Sequence, residues 1–97
     1  MKPTTHTDCP VTKTAAIMSD TWTTLIIKSL LEGPKRFCDI ERDLPGISTR
    51  TLTLKLKKLE QDKIARKRSE GDYVATKKGE GLKMVERAMR RYGEEYL

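Results

Sequence analysis

One stretch of the chain, residues 48–68, most constrains what the protein can fold into and bind. It holds eight Lys or Arg residues and two acidic ones, a net charge of +6 that equals the formal charge of the whole chain. Leu52, Leu56 and Leu59 recur at helical spacing, which predicts one apolar stripe along a helix. Ser48 precedes them and can cap this helix by accepting a backbone N–H. The stretch therefore predicts a capped basic helix that buries one face and offers the other to a polyanion.

The outward face of this helix and the strand after it supply the candidate DNA-binding residues. At 100° per residue, Arg50, Thr53 and Lys57 point away from the leucine stripe. Arg50 lies in the first turn, which meets base edges in helix-turn-helix proteins, so it suits a guanine or a phosphate contact. Leu54 is either an apolar contact to a thymine methyl group or an exposed leucine. The complete candidate set is Ser48, Thr49, Arg50, Thr53, Leu54, Lys55, Lys57, Lys58, Arg66 and Arg68.

Several of these candidates have a plainer alternative role. Ser48 can serve as a helix cap alone, and the lysines of the helix can form a solvated face. Their place beside further cations favours phosphate contacts. Arg66, Lys67 and Arg68 alternate along a strand, so that one or two can face DNA and at least one should not.

The composition describes a small domain with a large polar surface. Ninety-seven residues, 36% apolar and 35% charged, make one domain with a modest core. The sequence pI of about 9.5 favours a polyanionic partner. No apolar run reaches about 18 residues and no signal segment opens the chain, so we expect a cytoplasmic protein without membrane contact. Its two cysteines should therefore be reduced.

Two helices are predicted before the basic one. Pro10 suits the first position of a short helix that runs to about Met18. Ser19-Asp20 is a capping signal for a second helix, which begins near Thr21 and ends at Gly33-Pro34.

A helix-turn-helix and a hairpin follow. Residues 35–37 are predicted to form a small strand or a bridging turn, and residues 39–44 one or two helical turns. A tight turn then leads into the basic helix, which is the helix-turn-helix pattern. Residues 64–68 and 73–76 alternate in character around Gly71, which predicts a hairpin that acts as a wing. On the second helix, Trp22 is expected in the core.

These elements predict a single winged helix-turn-helix domain at residues 9–97, mostly α with a small β-hairpin, behind a flexible tail at residues 1–8. The recognition helix is expected at about residues 48–62 and the wing at about 64–76. A C-terminal dimerisation helix, capped by its preceding Thr, is expected at about 77–96.

The last helix should pair with a second copy of the chain. Its apolar residues recur at heptad spacing in a row narrower than that of a helix buried in its own domain. We therefore expect the chain to form a homodimer through this helix. The predicted interface on this helix consists of Leu82, Val85, Met89, Tyr92 and Tyr96.

Cys9 and Cys38 are the redox candidates. Cys9 precedes the first helix, where the helix dipole and Lys13 favour the thiolate and Asp8 opposes it; the alternative is a small packing residue in the dimer. A Cys9–Cys38 bridge between subunits stays open, since sequence places neither thiol. His6 has only weak ligands near it, so we expect neither a metal site nor a cofactor.

Three classes of function compete. The first is a sequence-specific DNA-binding regulator, and the second a winged-helix module that binds an acidic protein or DNA without sequence preference. The cationic outward helix face, with little apolar surface, favours DNA. An enzyme is not expected, because the chain has one His, no glycine-rich phosphate loop and no carboxylate pair in an apolar setting. No pattern identifies a small-molecule effector.

Several motifs, in order and spacing, resemble the HxlR-type family of winged helix-turn-helix transcriptional regulators. They are Cys9-Pro10, Trp22, Gly33-Pro34-Lys35-Arg36-Phe37, Leu44-Pro45-Gly46-Ile47-Ser48, Leu52-Thr53 with Leu56 and Leu59-Glu60, and Thr76 to Gly79. The resemblance covers residues 9–97. It implies a prokaryotic regulator that is dimeric through its terminal helices, with Val11 of the first helix in the interface, and that binds an inverted-repeat operator. In some members, the cysteine corresponding to Cys9 senses oxidants or electrophiles.

The chain departs from the family pattern at three places. The family usually has Gly and Lys shortly before the Trp, where this chain reads Ser19-Asp20-Thr21. The wing is shorter than usual, and of its Val-Glu-Tyr run only Tyr73 remains. Leu54 occupies a position that is usually polar.

Overall fold

A computed structural model describes residues 9–18 and 20–97. The expected tail at residues 1–8, with His6, lies outside the described residues. The elements in chain order are α1 (Pro10–Ile17), α2 (Thr21–Leu31), α3 (Phe37–Asp43), α4 (Thr49–Gln61), β1 (Ala65–Lys67), β2 (Tyr73–Ala75), α5 (Lys77–Glu80) and α6 (Lys83–Tyr96). This order confirms a mostly helical fold with one small hairpin.

The core lies between α2, α3 and α4 and is closed by the hairpin. The predicted leucine stripe of α4 is confirmed, because each of its three leucines is at most 1% exposed. Trp22 is half-buried and packs against the core from its edge. The largest fully buried side chains are Ile26, Ile40, Leu52, Leu56, Leu59 and Ile64.

The N-termini of α2 and α4 are capped by the residues that the sequence indicated. Asp20 accepts the Thr23 N–H at 2.8 Å to cap α2, and Ser48 accepts the Thr51 N–H at 3.0 Å to cap α4. Such side chains satisfy backbone donors that have no partner inside the helix. The starts of α2 and α4 therefore fall where they were predicted.

A polar cluster ties the end of α2 to the end of α3. The buried Ser29 hydroxyl donates to Asp43 Oδ2 at 2.8 Å, and Lys35 Nζ lies 2.6 Å from the same oxygen. Lys35 also pairs with Glu32 at 3.0 Å. The Lys35 ammonium, and after it the Ser29 hydroxyl, hold the pKa of Asp43 below its ordinary value. The cluster thus orients the first helix of the helix-turn-helix.

The predicted hairpin is confirmed, and one residue outside it forms a bridge to its second strand. β1 and β2 pair antiparallel with Arg66 opposite Val74, and Gly71 turns the chain at φ 94°. A small strand or a bridging turn was predicted at residues 35–37. The structure has an isolated antiparallel bridge there, between Lys35 and Tyr73. Helix α3 starts at Phe37, two residues before the predicted position.

The prediction of one continuous C-terminal helix was wrong. The chain forms α5 and α6 as two helices, because the Leu82 N–H bonds the Gly79 carbonyl three residues back, at 2.9 Å. Leu82 is 7% exposed and belongs to the core of its own domain. The turn lets Leu82 enter that core while α6 continues outside it. Leu82 therefore does not lie on the exposed row that was expected to pair two subunits.

Gly79→Ala should destabilise the fold, because a Cβ there would lie 2.2 Å from the Ile64 carbonyl oxygen. We expect a loss of about 1–3 kcal/mol in the free energy of unfolding, measured by urea denaturation. Gly93→Ala is the matched control, since a Cβ at Gly93 meets no atom within 4 Å. It should be neutral or stabilising by up to about 1 kcal/mol. Equal stability of both variants would contradict the close approach.

Candidate nucleic-acid interface

Burial of the leucine stripe determines which side of α4 faces outward. With the stripe in the core, Arg50, Thr53, Leu54 and Lys57 are all exposed, and we call these four residues the outer face of α4. Leu54 is 55% exposed, as the sequence predicted, and is the one apolar member of the four. The outer face therefore combines two cations, a hydroxyl and a single apolar side chain.

Ser48 and Thr49 already have partners within the domain. The Ser48 hydroxyl donates to Thr51 Oγ1 at 2.9 Å in addition to its capping bond, and the Thr49 hydroxyl donates to Glu41 Oε2 at 3.0 Å. The Thr53 hydroxyl donates to the Thr49 carbonyl one turn back, at 2.8 Å. The Thr49–Glu41 bond holds the first turn of α4 against α3, and the other bonds lie within α4 and its cap.

The three lysines of α4 differ in their surroundings. Lys55 is half-buried on the flank of the helix, and its ammonium pairs with Asp20. Lys58 pairs with Asp62 at 3.0 Å across one turn. Lys57 lies on the outer face, and within the described part of the chain its ammonium has no ion pair. Lys57 is therefore the lysine best placed for a phosphate.

The three cations of the hairpin also differ in their contacts with the rest of the domain. Arg68 binds Asp72 through two hydrogen bonds of 2.8 and 2.5 Å, which close the turn and hold the pKa of Asp72 below its ordinary value. The Lys67 ammonium lies 5.7 Å from the centroid of the Tyr73 ring. Arg66 is exposed opposite Val74, and in the part of the hairpin described here it makes no ion pair. Arg66 is thus the hairpin cation with the least internal role.

Sequence reasoning missed three contacts that support this surface. The Arg36 guanidinium donates to the Glu70 carbonyl at 3.2 Å and so braces the hairpin tip from the start of α3. Asp20 was recognised as a cap, but its ion pair with Lys55 spans 35 positions and has no local signal. The Asp72 partner of Arg68 had a weak signal, since both residues flank a glycine turn.

The two cysteines are both exposed thiols. Cys9 is the N-cap of α1, and the pKa of its thiol is lowered, chiefly by the Thr12 backbone N–H, then by the Thr12 hydroxyl and the Val11 N–H. The predicted preference for the thiolate thus has the N–H groups of the first helical turn as its main source. Cys38 lies near the start of α3.

An apolar row runs along α6 outside the core. Met89, Tyr92 and Tyr96 are 50–69% exposed, and the two tyrosine rings lie 4.9 Å apart. Val85 is half-buried against the core, and Val11 on α1 is 76% exposed. Met84, which was not predicted, is 72% exposed on a different side of α6.

Residues 9–18 and 20–97 contain neither a metal-binding cluster nor a membrane-spanning helix. No group of three or more His, Cys, Asp or Glu side chains there is placed to hold a metal ion. None of the helices described is both long and apolar enough to span a bilayer.

Both the sequence and the fold of the chain match known proteins. Residues 17–97 match the family described as HxlR-like helix-turn-helix. The chain is 33% identical over 98 residues to the HTH-type transcriptional regulator YodB of Bacillus subtilis (strain 168), across 94% of this chain and 88% of YodB. The structure of quinone-bound YodB matches with a TM-score of 0.80 at 34% identity, over 91% of this chain and 99% of that one. The redox regulator HypR in its reduced form matches with a TM-score of 0.82 at 29% identity, over 90% and 92% of the two chains.

A capped basic helix with a hairpin behind it, in a chain with these relatives, defines a winged helix-turn-helix transcriptional regulator of the DNA-binding type. Its match extends from the last residue of α1 to the end of the chain. The chain belongs to the HxlR family.

Proposed function

We propose that the protein acts as a homodimer that binds an inverted-repeat operator with the outer face of α4 in the major groove. The observation that carries this proposal is the outer face itself, where Arg50 and Lys57 stand exposed beside Thr53 on a helix rigidly seated in the core. Short side chains let the backbone approach the bases, and the cations meet bases or phosphates. In such dimers the half-sites lie about 34–36 Å apart, one helical turn of DNA.

The surroundings of the outer face favour DNA over an acidic protein partner. Leu54 is its one large apolar side chain, whereas the hot spots of protein interfaces are enriched in aromatic anchors. Arg66 on the hairpin adds an exposed cation beyond the helix, consistent with a contact to the phosphate backbone. Because DNA is the partner, we expect the protein to act in the cytoplasm.

Arg50→Ala should weaken operator binding by about 1–3 kcal/mol and relax the sequence preference at one base pair. The reason is that Arg50 is exposed in the first turn of α4, where it reaches a base edge. The measurement is fluorescence anisotropy on a selected operator and on its single-base variants. Arg91→Ala on α6 is the control, with the same loss of charge at a side chain that is 81% exposed. If Arg50→Ala and Arg91→Ala bind alike, α4 is not the recognition helix.

The exposed row of α6, together with Val11 of α1, is the proposed dimer interface. The row consists of Met89, Tyr92 and Tyr96, with Val85 at its inner edge. Contact with the same row of a second copy would remove these apolar side chains from water, in the two-fold arrangement typical of homodimers. An inverted-repeat operator requires such a two-fold axis.

Met89→Glu should split the dimer, because it places a carboxylate in the middle of the apolar row. Analytical ultracentrifugation is expected to give a monomer at concentrations where the parent protein is a dimer. Met84→Glu is the control: Met84 is similarly exposed but lies roughly 140° around the helix from Met89 at 100° per residue. A dimer in the first variant and a monomer in the second would place the interface on the other side of α6.

Cys9 is the proposed sensor of oxidants or electrophiles. Its thiol is exposed and its pKa is lowered by the first turn of α1, which raises the fraction of reactive thiolate. One similar structure, that of YodB, is quinone-bound, and HypR is named a redox regulator. Because α1 also carries Val11 of the proposed interface, modification at Cys9 would act next to the contact between subunits.

Cys9→Ser should abolish the effect of a quinone or a mild oxidant on operator binding and leave binding by the reduced protein unchanged. Binding is measured before and after treatment, and intact-mass spectrometry counts the modified thiols. Cys38→Ser, which removes the other exposed thiol, should still respond. A response in Cys9→Ser that is lost in Cys38→Ser would move the sensor to α3.

A further inference from the structure

An ion pair joins the start of α2 to the middle of the recognition helix. Asp20 uses one carboxylate oxygen, Oδ1, to cap α2 at the Thr23 N–H, and its other oxygen, Oδ2, pairs with the Lys55 ammonium. The pair spans 35 positions of sequence and connects the two helices whose buried faces meet in the core. One side chain thus sets the first turn of α2 and contacts α4 at the same time.

Lys55 does not share the outer face of α4. It is three residues after Leu52 and four before Leu59, so it flanks the buried stripe. Its side chain is 31% exposed and that of Asp20 is 38% exposed, both less than the 65% of Lys58 on the same helix. The ammonium of Lys55 is therefore directed at the protein and away from the side that DNA would approach.

We propose that Asp20 and Lys55 are positioning residues for DNA binding, whose ion pair sets the orientation in which α4 presents its outer face. The core leucines restrain the rotation of α4 about its axis, and the ion pair restrains its tilt against α2. Neither residue touches DNA in this arrangement. The inference rests on the proposed role of α4 as the recognition helix.

The decisive variant is Asp20→Asn. The gain in positive charge and the loss of positioning predict opposite changes in its affinity for DNA. Asn caps a helix as well as Asp does, so the Thr23 bond is retained while the pair with Lys55 loses its charge. The variant is more positive by one charge, which alone would tighten binding to DNA. Positioning predicts weaker binding, by about two- to five-fold, the range expected for a partly exposed ion pair.

Lys55→Met and the double variant complete the cycle. A positioning pair predicts that Lys55→Met weakens binding to a similar extent and that the double variant is no weaker than either single one. It also predicts an unchanged slope of log affinity against log salt, whereas loss of a phosphate contact lowers that slope by about 0.9. Glu60→Gln, which also removes one exposed negative charge from this region, is the control and should bind as tightly as the parent or tighter.

The measurement is anisotropy titration of a selected operator across a salt series, with circular dichroism to verify that each full-length variant is folded at the assay temperature. Weaker binding by Asp20→Asn at constant salt slope supports the inference. Equal or tighter binding overturns it, and so does a lower salt slope in Lys55→Met, which would make Lys55 a phosphate contact. If Asp20→Asn does not fold, Lys55→Met is the test, since it leaves the cap of α2 intact. Weaker binding with an unchanged salt slope then supports the inference, and a lower slope overturns it.

The same titration separates this inference from the proposed function. If Arg50→Ala binds as tightly as the parent, the recognition helix is misassigned and the positioning role falls with it. If Arg50→Ala binds the operator more weakly and Asp20→Asn does not, only the positioning role is contradicted.

Discussion

The structure depends first on the burial of three leucines from a helix that is otherwise basic. Leu52, Leu56 and Leu59 are removed from water almost completely, and each contributes about 1.5–3 kcal/mol relative to an exposed side chain. Because they lie on one stripe, their burial allows α4 only one rotation about its axis. Arg50 and Lys57 lie on the opposite side of the helix and therefore face outward. A hydrophobic constraint thereby determines where the positive charge is presented.

Polar contacts refine what the leucines establish. Ser48 and Asp20 begin α4 and α2 at defined residues, and the Ser29–Asp43–Lys35 cluster locks the helix that precedes the turn. Several cations that looked available for DNA are used in this way, above all Lys55 and Arg68. The surface that remains for a partner is therefore smaller than the charge of the chain suggests, and it is better defined.

Much of this was predictable from sequence because it depends on local signals. Helical spacing gave the leucine stripe and the exposure of Leu54, and capping side chains gave the starts of α2 and α4. What could not be predicted depends on distant contacts. The break before α6 places Leu82 in a core that other helices assemble, and the partner of Lys55 lies 35 positions away. Periodicity alone could not separate a leucine that belongs to the core from an apolar row that continues the same spacing.

The central claim is that α4 reads a specific, two-fold symmetric DNA site. The most direct test is selection of binding sites by the purified protein from a random duplex pool, repeated across a salt series. The account predicts enrichment of a near-palindrome with half-sites one helical turn apart and an affinity that falls steeply with salt. Salt-sensitive binding without any enriched sequence would contradict it and indicate an architectural DNA binder, and no binding at any salt would indicate a protein-binding module.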